Sequence, residues 1–173
     1  DLAIHVPAKA HNSEAIVDGG ELSPLTVEEQ TIVLKALQQS SREYQLMFYL
    51  ALFTGARLQT ICTLRIENLF NRESDSHGFI RLPVGAGTGV DTKFQKPMTL
   101  LIPNWLAQDL KIYIDSPQAQ QRRQKSGYGD SNENYVFLTK LGTPFYTSKA
   151  EQQELTEKIK ASELFGARLK LYE

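Results

Sequence analysis

The residues best placed to do chemistry are Thr54-Gly55-Ala56-Arg57-Leu58 with Leu64-Arg65 after them, because they set a cation where one apolar helix stops and another starts. The run from Tyr44 to Phe53 is too apolar for a surface helix, and Gly55 marks its end. Leu58, Ile61, Cys62 and Leu64 then recur at helical spacing, so with Thr54 as N-cap Arg57 falls in the first turn of a second helix. Positive charge there opposes the helix dipole by roughly 0.3–1 kcal/mol. Backbone amides and a guanidinium that converge at one helix start make a phosphate site, which would explain the cation. The alternative is a structural arginine paired with a backbone carbonyl or with a nearby carboxylate such as Glu67.

Several elements must position this segment. Pro24-Leu25-Thr26-Val27-Glu28-Glu29 reads as a capping box, Thr26 at the N-cap and Glu29 at N3, and Ile32, Val33, Ala36 and Leu37 keep helical period after it. Residues 78–84 and 98–103 read as two strands joined through a Gly-rich turn, with Lys93 and Lys96 near its tip. Residues 104–115 form an amphipathic helix with Asn104 as cap, and residues 116–134, rich in Gln, Ser, Gly and Asn, read as a loop. A short strand over Tyr135–Leu138 and a helix from about Lys149 to Ala161 follow. The expected class is α+β, mainly α-helical, with a small antiparallel sheet made by the hairpin of residues 79–102 and joined by the strand near Tyr135. Residues 1–22 read as a linker, leaving 23–173 as the domain.

Composition narrows the function classes. A chain of 173 residues, 41% hydrophobic and 23% charged, can bury one core. Its 19 basic and 20 acidic residues balance, so any contact with a polyanion must come from local clusters. Candidates are Lys93 with Lys96, the run Arg122, Arg123 and Lys125, and Lys158, Lys160, Arg168 and Lys170. The Arg122–Lys125 run reads first as a solvated loop. One cysteine excludes an internal disulfide and a cysteine-rich zinc site, and no metal-ligand spacing occurs. Cys62, among apolar residues with no histidine near in sequence, is expected to pack in the core. With no signal peptide and no long apolar segment, a reducing cytoplasm is the default expectation and no membrane partner is expected.

The segment from about residue 24 to 146 resembles the catalytic domain of tyrosine recombinases, or phage integrases. The motifs that carry the resemblance are the apolar helix before Thr54-Gly55-Ala56-Arg57, the pair Leu64-Arg65 about two turns later, Thr92-Lys93 between two strands, and Asn134-Tyr135-Val136-Phe137-Leu138 before the turn at Lys140–Phe145. Two features depart from the pattern. The family has an acidic residue three positions after the arginine, where this chain has Thr60. It also has a later His-x-x-Arg, a further His or Trp and a tyrosine nucleophile, whereas the three histidines here are His5, His11 and His77. Tyr172 lacks the preceding His-x-x-Arg and is not expected to be the nucleophile.

The resemblance implies a fold like that of DNA breaking-rejoining enzymes and phosphoryl transfer on double-stranded DNA without metal or cofactor, through a phosphotyrosyl intermediate. Arg57 would be the first of two arginines on the phosphate, and Lys93 the general acid, with Lys96 as the alternative. Arg57, Arg65, Lys93 and Lys96 would all face DNA. The parent protein is expected to be a recombinase that assembles as a tetramer on DNA, with residues 1–22 leading from a separate DNA-binding arm domain. The chain itself is expected to be an incomplete catalytic domain that alone cannot cleave DNA. The other class in view is a non-catalytic DNA-binding or regulatory module that keeps the fold.

Overall fold

Two runs of strand-forming residues, Phe79–Val84 and Met98–Pro103, pair across a Gly-rich turn, and burial alternates along each. Strand β1 (Phe79–Val84) buries Ile80, Leu82 and Val84, and β2 (Met98–Pro103) buries Leu100 and Ile102. Antiparallel register sets Ile80 opposite Ile102 and Leu82 opposite Leu100, so the buried residues share one face. In this computed structural model residues 25–70 and 72–169 are described, with side chains as far as residue 159. The expected linker over 1–22 and Tyr172 lie outside them. The chain divides into two compact units, residues 1–36 and 37–173.

In the first unit the capping box at Thr26 forms as expected. The Glu29 amide donates to Thr26 Oγ1 at 3.2 Å, and the Thr26 amide donates back to the Glu29 carboxylate at 2.9 Å. It opens α1 (Val27–Gln39), which runs across the division.

In the second unit α2 (Arg42–Thr54) leads to the short helices α3 (Leu58–Cys62) and α4 (Ile66–Leu69). After the hairpin come α5 (Asn104–Ile114), α6 (Pro117–Gln124) and α7 (Lys149–Leu169). Helix α2 packs on α3, α5 and β2, and α5 also packs on both strands. Leu46, Leu50, Ile61, Leu64, Leu82, Leu100, Ile102, Leu106, Leu110 and Phe137 form one core there. The mainly helical class with a small antiparallel sheet is therefore the observed one. No described helix is long and apolar enough to cross a membrane.

Five local expectations are corrected. Thr54 does not cap the helix after it; it ends α2, and Arg57 is the N-cap of α3. Helix α2 is half-exposed rather than buried: Phe48 is 52% exposed and lines, with Tyr44, Leu58 and Phe145, an apolar groove of about 550 Å³. Asn104 is the first residue of α5, and Pro103 takes the cap position. Residues 117–124 form α6, because Ser116 accepts from the Ala119 amide and Pro117 sits in the first turn. Tyr135–Leu138 does not extend the sheet, which has two strands among the described residues; Tyr135 instead forms a single bridge with Arg65, and Leu138 one with Pro144.

The correction at α6 changes the meaning of its basic run. Arg122 is 4% exposed; it donates to the Glu43 carboxylate at 2.6 Å and to the Leu138 carbonyl at 2.8 Å. Arg123, also buried, donates to Asp130 at 2.6 Å and to the Ile114 carbonyl at 2.7 Å. These arginines are cross-links of the fold, not a solvated loop. Burial pushes the Glu43 carboxyl up, but the Arg122 guanidinium, backbone bonding and Ser41 outweigh it and hold the group below the usual carboxylate range.

Candidate functional site

Arg57 owes its position to the turn before it. Gly55 adopts a left-handed backbone, φ 67°, and its amide donates to the Ala51 carbonyl at 3.0 Å, which stops α2. Thr54 Oγ1 then accepts from the Ala56 amide at 3.2 Å and fixes the exit direction. Arg57 follows in an extended conformation, φ −73° and ψ 154°, and its carbonyl accepts the first bond of α3 from Ile61 at 3.0 Å. Its side chain is exposed, makes no capping bond, and has no ion pair among the described residues. The structural alternative, a pairing with Glu67, does not occur. A fixed backbone thus carries an exposed, permanently charged fork beside the start of a short helix.

Lys93 and Lys96 lie between the strands, at the two ends of a single 3₁₀ turn (Lys93–Gln95), and both are exposed. The turn is strained: Phe94 and Gln95 have φ of 60° and 55°, a left-handed region that costs an L-residue about 1–2 kcal/mol. Hydrogen bonds hold it there. Thr92 Oγ1 donates to the Lys96 carbonyl at 2.7 Å, the Gln95 amide donates to the Thr92 carbonyl at 3.1 Å, and the Ala86 amide donates to the Gln95 carbonyl at 3.1 Å. Gly85 makes the last contact possible, since a Cβ there would lie 2.6 Å from the Lys96 carbonyl oxygen. Phe94 is left 85% exposed, with the Lys93 ammonium 5.3 Å from its ring centre.

One carboxylate joins these two parts. Asp91 is 2% exposed and accepts from Gln59 Nε2 at 3.0 Å, from Gln95 Nε2 at 2.9 Å and from the Lys149 amide at the start of α7 at 3.1 Å. Its own amide donates to Thr63 Oγ1 at 2.9 Å. Gln59 is two residues from Arg57, and Asp91 two residues from Lys93, so the carboxylate ties α3, the hairpin tip and α7 into one frame. Sequence reading missed Asp91; a lone acid in a Gly-rich turn carries no signal when its partners lie 32 and 58 residues away.

Arg65 is placed differently. Its guanidinium stacks over the rings of Tyr135, at 4.5 Å, and Tyr128, at 4.9 Å, donates to the Glu133 carbonyl, and pairs with Glu151 at 3.2 Å. Tyr135 Oη donates to the same Glu151 carboxylate and accepts from the Ser148 amide at 3.0 Å. Burial, with the Glu151 carboxylate behind it, pushes the Tyr135 phenol above its ordinary range. Thr60 is buried and contributes no carboxylate to α3. Cys62 is buried as expected, and burial pushes its thiol up to about 11. No group of carboxylates, histidines and cysteine that could hold a metal occurs among the described residues.

No protein-family model and no curated protein sequence matches the chain. Among solved structures it is similar to the Tn1549 transposon integrase, an arginine-to-lysine variant in complex with a circular intermediate DNA, at a TM-score of 0.48 and 16% identity over 75% of this chain. A tyrosine-to-phenylalanine variant of the same integrase, in complex with transposon right end DNA, gives a TM-score of 0.44 and 18% identity over 76% of this chain. The chain spans 41% and 43% of the lengths of those two integrase chains.

Proposed function

We propose that this chain is the part of a tyrosine-recombinase catalytic domain that supplies the first phosphate-binding arginine, Arg57, and the general acid, Lys93. One observation carries the reading: Arg57, with no ion pair among the described residues, presents its guanidinium from a braced, extended N-cap residue, in the frame that Gln59 and Asp91 share with the lysine-bearing turn. In this reaction a tyrosine oxygen bonds to a DNA phosphorus as the bond to the 5′ oxygen breaks. Arg57 holds the nonbridging oxygens as charge builds on them, and the Lys93 ammonium gives its proton to the departing alkoxide. The tyrosine and the second arginine belong to the remainder of such a domain.

Lys96, at the other end of the same turn, is the alternative donor and in either case reaches a neighbouring phosphate. Arg65 supports the site from behind: its cation is already committed to Glu151 and two aromatic rings, so its share in DNA contact is to hold Tyr128, Tyr135 and α7 in place. Self-association on two duplexes belongs to the same reading. A non-catalytic DNA-binding module is the second reading, favoured by Thr60 where the family carries an acid; strand cleavage by the longer protein separates the two.

The experiment is binding of the 173-residue chain to mixed-sequence duplex DNA over a range of salt. Affinity should fall steadily with salt, and Arg57→Ala should weaken it several-fold and reduce the salt slope by about 1. A folded chain that ignores duplex DNA, or an Arg57→Ala variant that binds like the parent, refutes the proposal.

A further inference from the structure

The tip of the hairpin exposes an aromatic ring where a polar residue would serve a solvent-facing turn better. Phe94 is the most exposed of the large apolar residues described, at 85%, and it occupies a left-handed backbone that glycine or asparagine would take more readily. Its surroundings do not let it relax. Four hydrogen bonds, from Thr92 Oγ1, Gln95 Nε2 and the amides of Gln95 and Ala86, fasten the turn on both sides of the ring. The ring therefore does not fold back onto the protein. On either side stand Lys93 and Lys96, both exposed, with the Lys93 ammonium against the ring.

From this arrangement we infer that Phe94 is a wedge that enters duplex DNA at a base step, while Lys93 and Lys96 hold the phosphates that flank it. The inference rests on the DNA reading of Arg57 and Lys93 and adds a contact to the bases. The partner follows from chemistry: a fixed apolar ring between two cations fits a polymer with anionic groups at its rim and flat apolar faces behind them. Apolar side chains that enter between base pairs partly unstack them and kink the duplex. Rigidity matters here, because a tip already locked in place loses little conformational freedom on insertion.

The test uses the 173-residue chain and a set of mixed-sequence duplexes with 2-aminopurine in place of adenine at successive positions, whose fluorescence rises when the base is unstacked. The parent chain should raise the signal, saturably and less at higher salt. Phe94→Gly and Phe94→Asn accept the left-handed backbone and keep the turn; they should abolish the rise and weaken binding about tenfold. Phe94→Trp should retain both. Salt-sensitive binding by the parent with no fluorescence rise, or Phe94→Gly binding with parental affinity and signal, would overturn the wedge and leave the Arg57 proposal standing. Failure of the folded parent to bind any duplex would overturn both, and several-fold weaker binding by Arg57→Ala together with the Phe94→Gly loss of affinity and signal supports both.

Discussion

Gln59 on α3 donates its side-chain amide to Oδ2 of Asp91 in the hairpin, 3.0 Å away, and this bond links the segment that carries Arg57 to the turn that carries Lys93. Asp91 also receives Gln95 and the Lys149 amide, so three donors depend on one buried carboxylate. Asp91→Ala leaves those donors without their acceptor and should destabilise the domain by about 2–3 kcal/mol. Urea unfolding measures the loss. Hydrogen exchange at the amides of Gln95 and Lys96 should quicken more than at β1, since the tip loses its anchor while the ladder remains; unchanged exchange at the tip would deny Asp91 this role.

The turn itself makes an opposite prediction. Phe94 and Gln95 are left-handed, so Phe94→Gly should raise the stability of the chain, by about 1 kcal/mol, through relief of strain. Thermal unfolding would show an increase in Tm, and no increase would mean that the ring contributes to folding after all. Gly85→Ala should do the reverse, because its Cβ would meet the Lys96 carbonyl oxygen at 2.6 Å, a contact that only a shift of the backbone can relieve.

The Arg122–Glu43 pair has the geometry of a buried cross-link, 2.6 Å between charged atoms with both side chains almost fully covered. Removal of one partner strands the other, so Arg122→Met should cost about 3–5 kcal/mol. The double variant with Glu43→Gln should recover part of that, as a double-mutant cycle on unfolding free energies would reveal.

The same pair sets an acid response. Glu43 has a carboxyl held below its ordinary value in the folded chain, so the unfolded chain binds the proton more readily. Its stabilising contribution is complete above the ordinary carboxylate range and is lost as pH falls through the lowered folded value. Stability measured from neutral pH downward should therefore decline across the carboxylate range, and Glu43→Gln should flatten part of that decline.

Cys62, with its thiol pushed up to about 11 by burial, should resist a thiol reagent at neutral pH in the folded chain and react quickly once urea unfolds it. Rapid labelling of the native chain would contradict the packing observed.

Local patterns in the sequence determined much of this molecule. The two apolar runs on either side of a Gly-rich turn were enough for a hairpin, the Thr26–Glu29 spacing for a helix start, and Gly55 for the end of α2, because each depends on residue types close together along the chain. Tertiary structure decided the rest. Arg122 reads as a solvated charge until the fold brings Glu43 from 79 residues away and Leu138 from 16. Arg65 and Arg57 look alike in sequence, eight residues apart, yet only one is left free, because Glu151, 86 residues beyond Arg65, closes on its guanidinium and nothing among the described residues closes on that of Arg57. Which charges are committed and which remain available is a property of long-range contacts, and no periodicity within the chain encodes it.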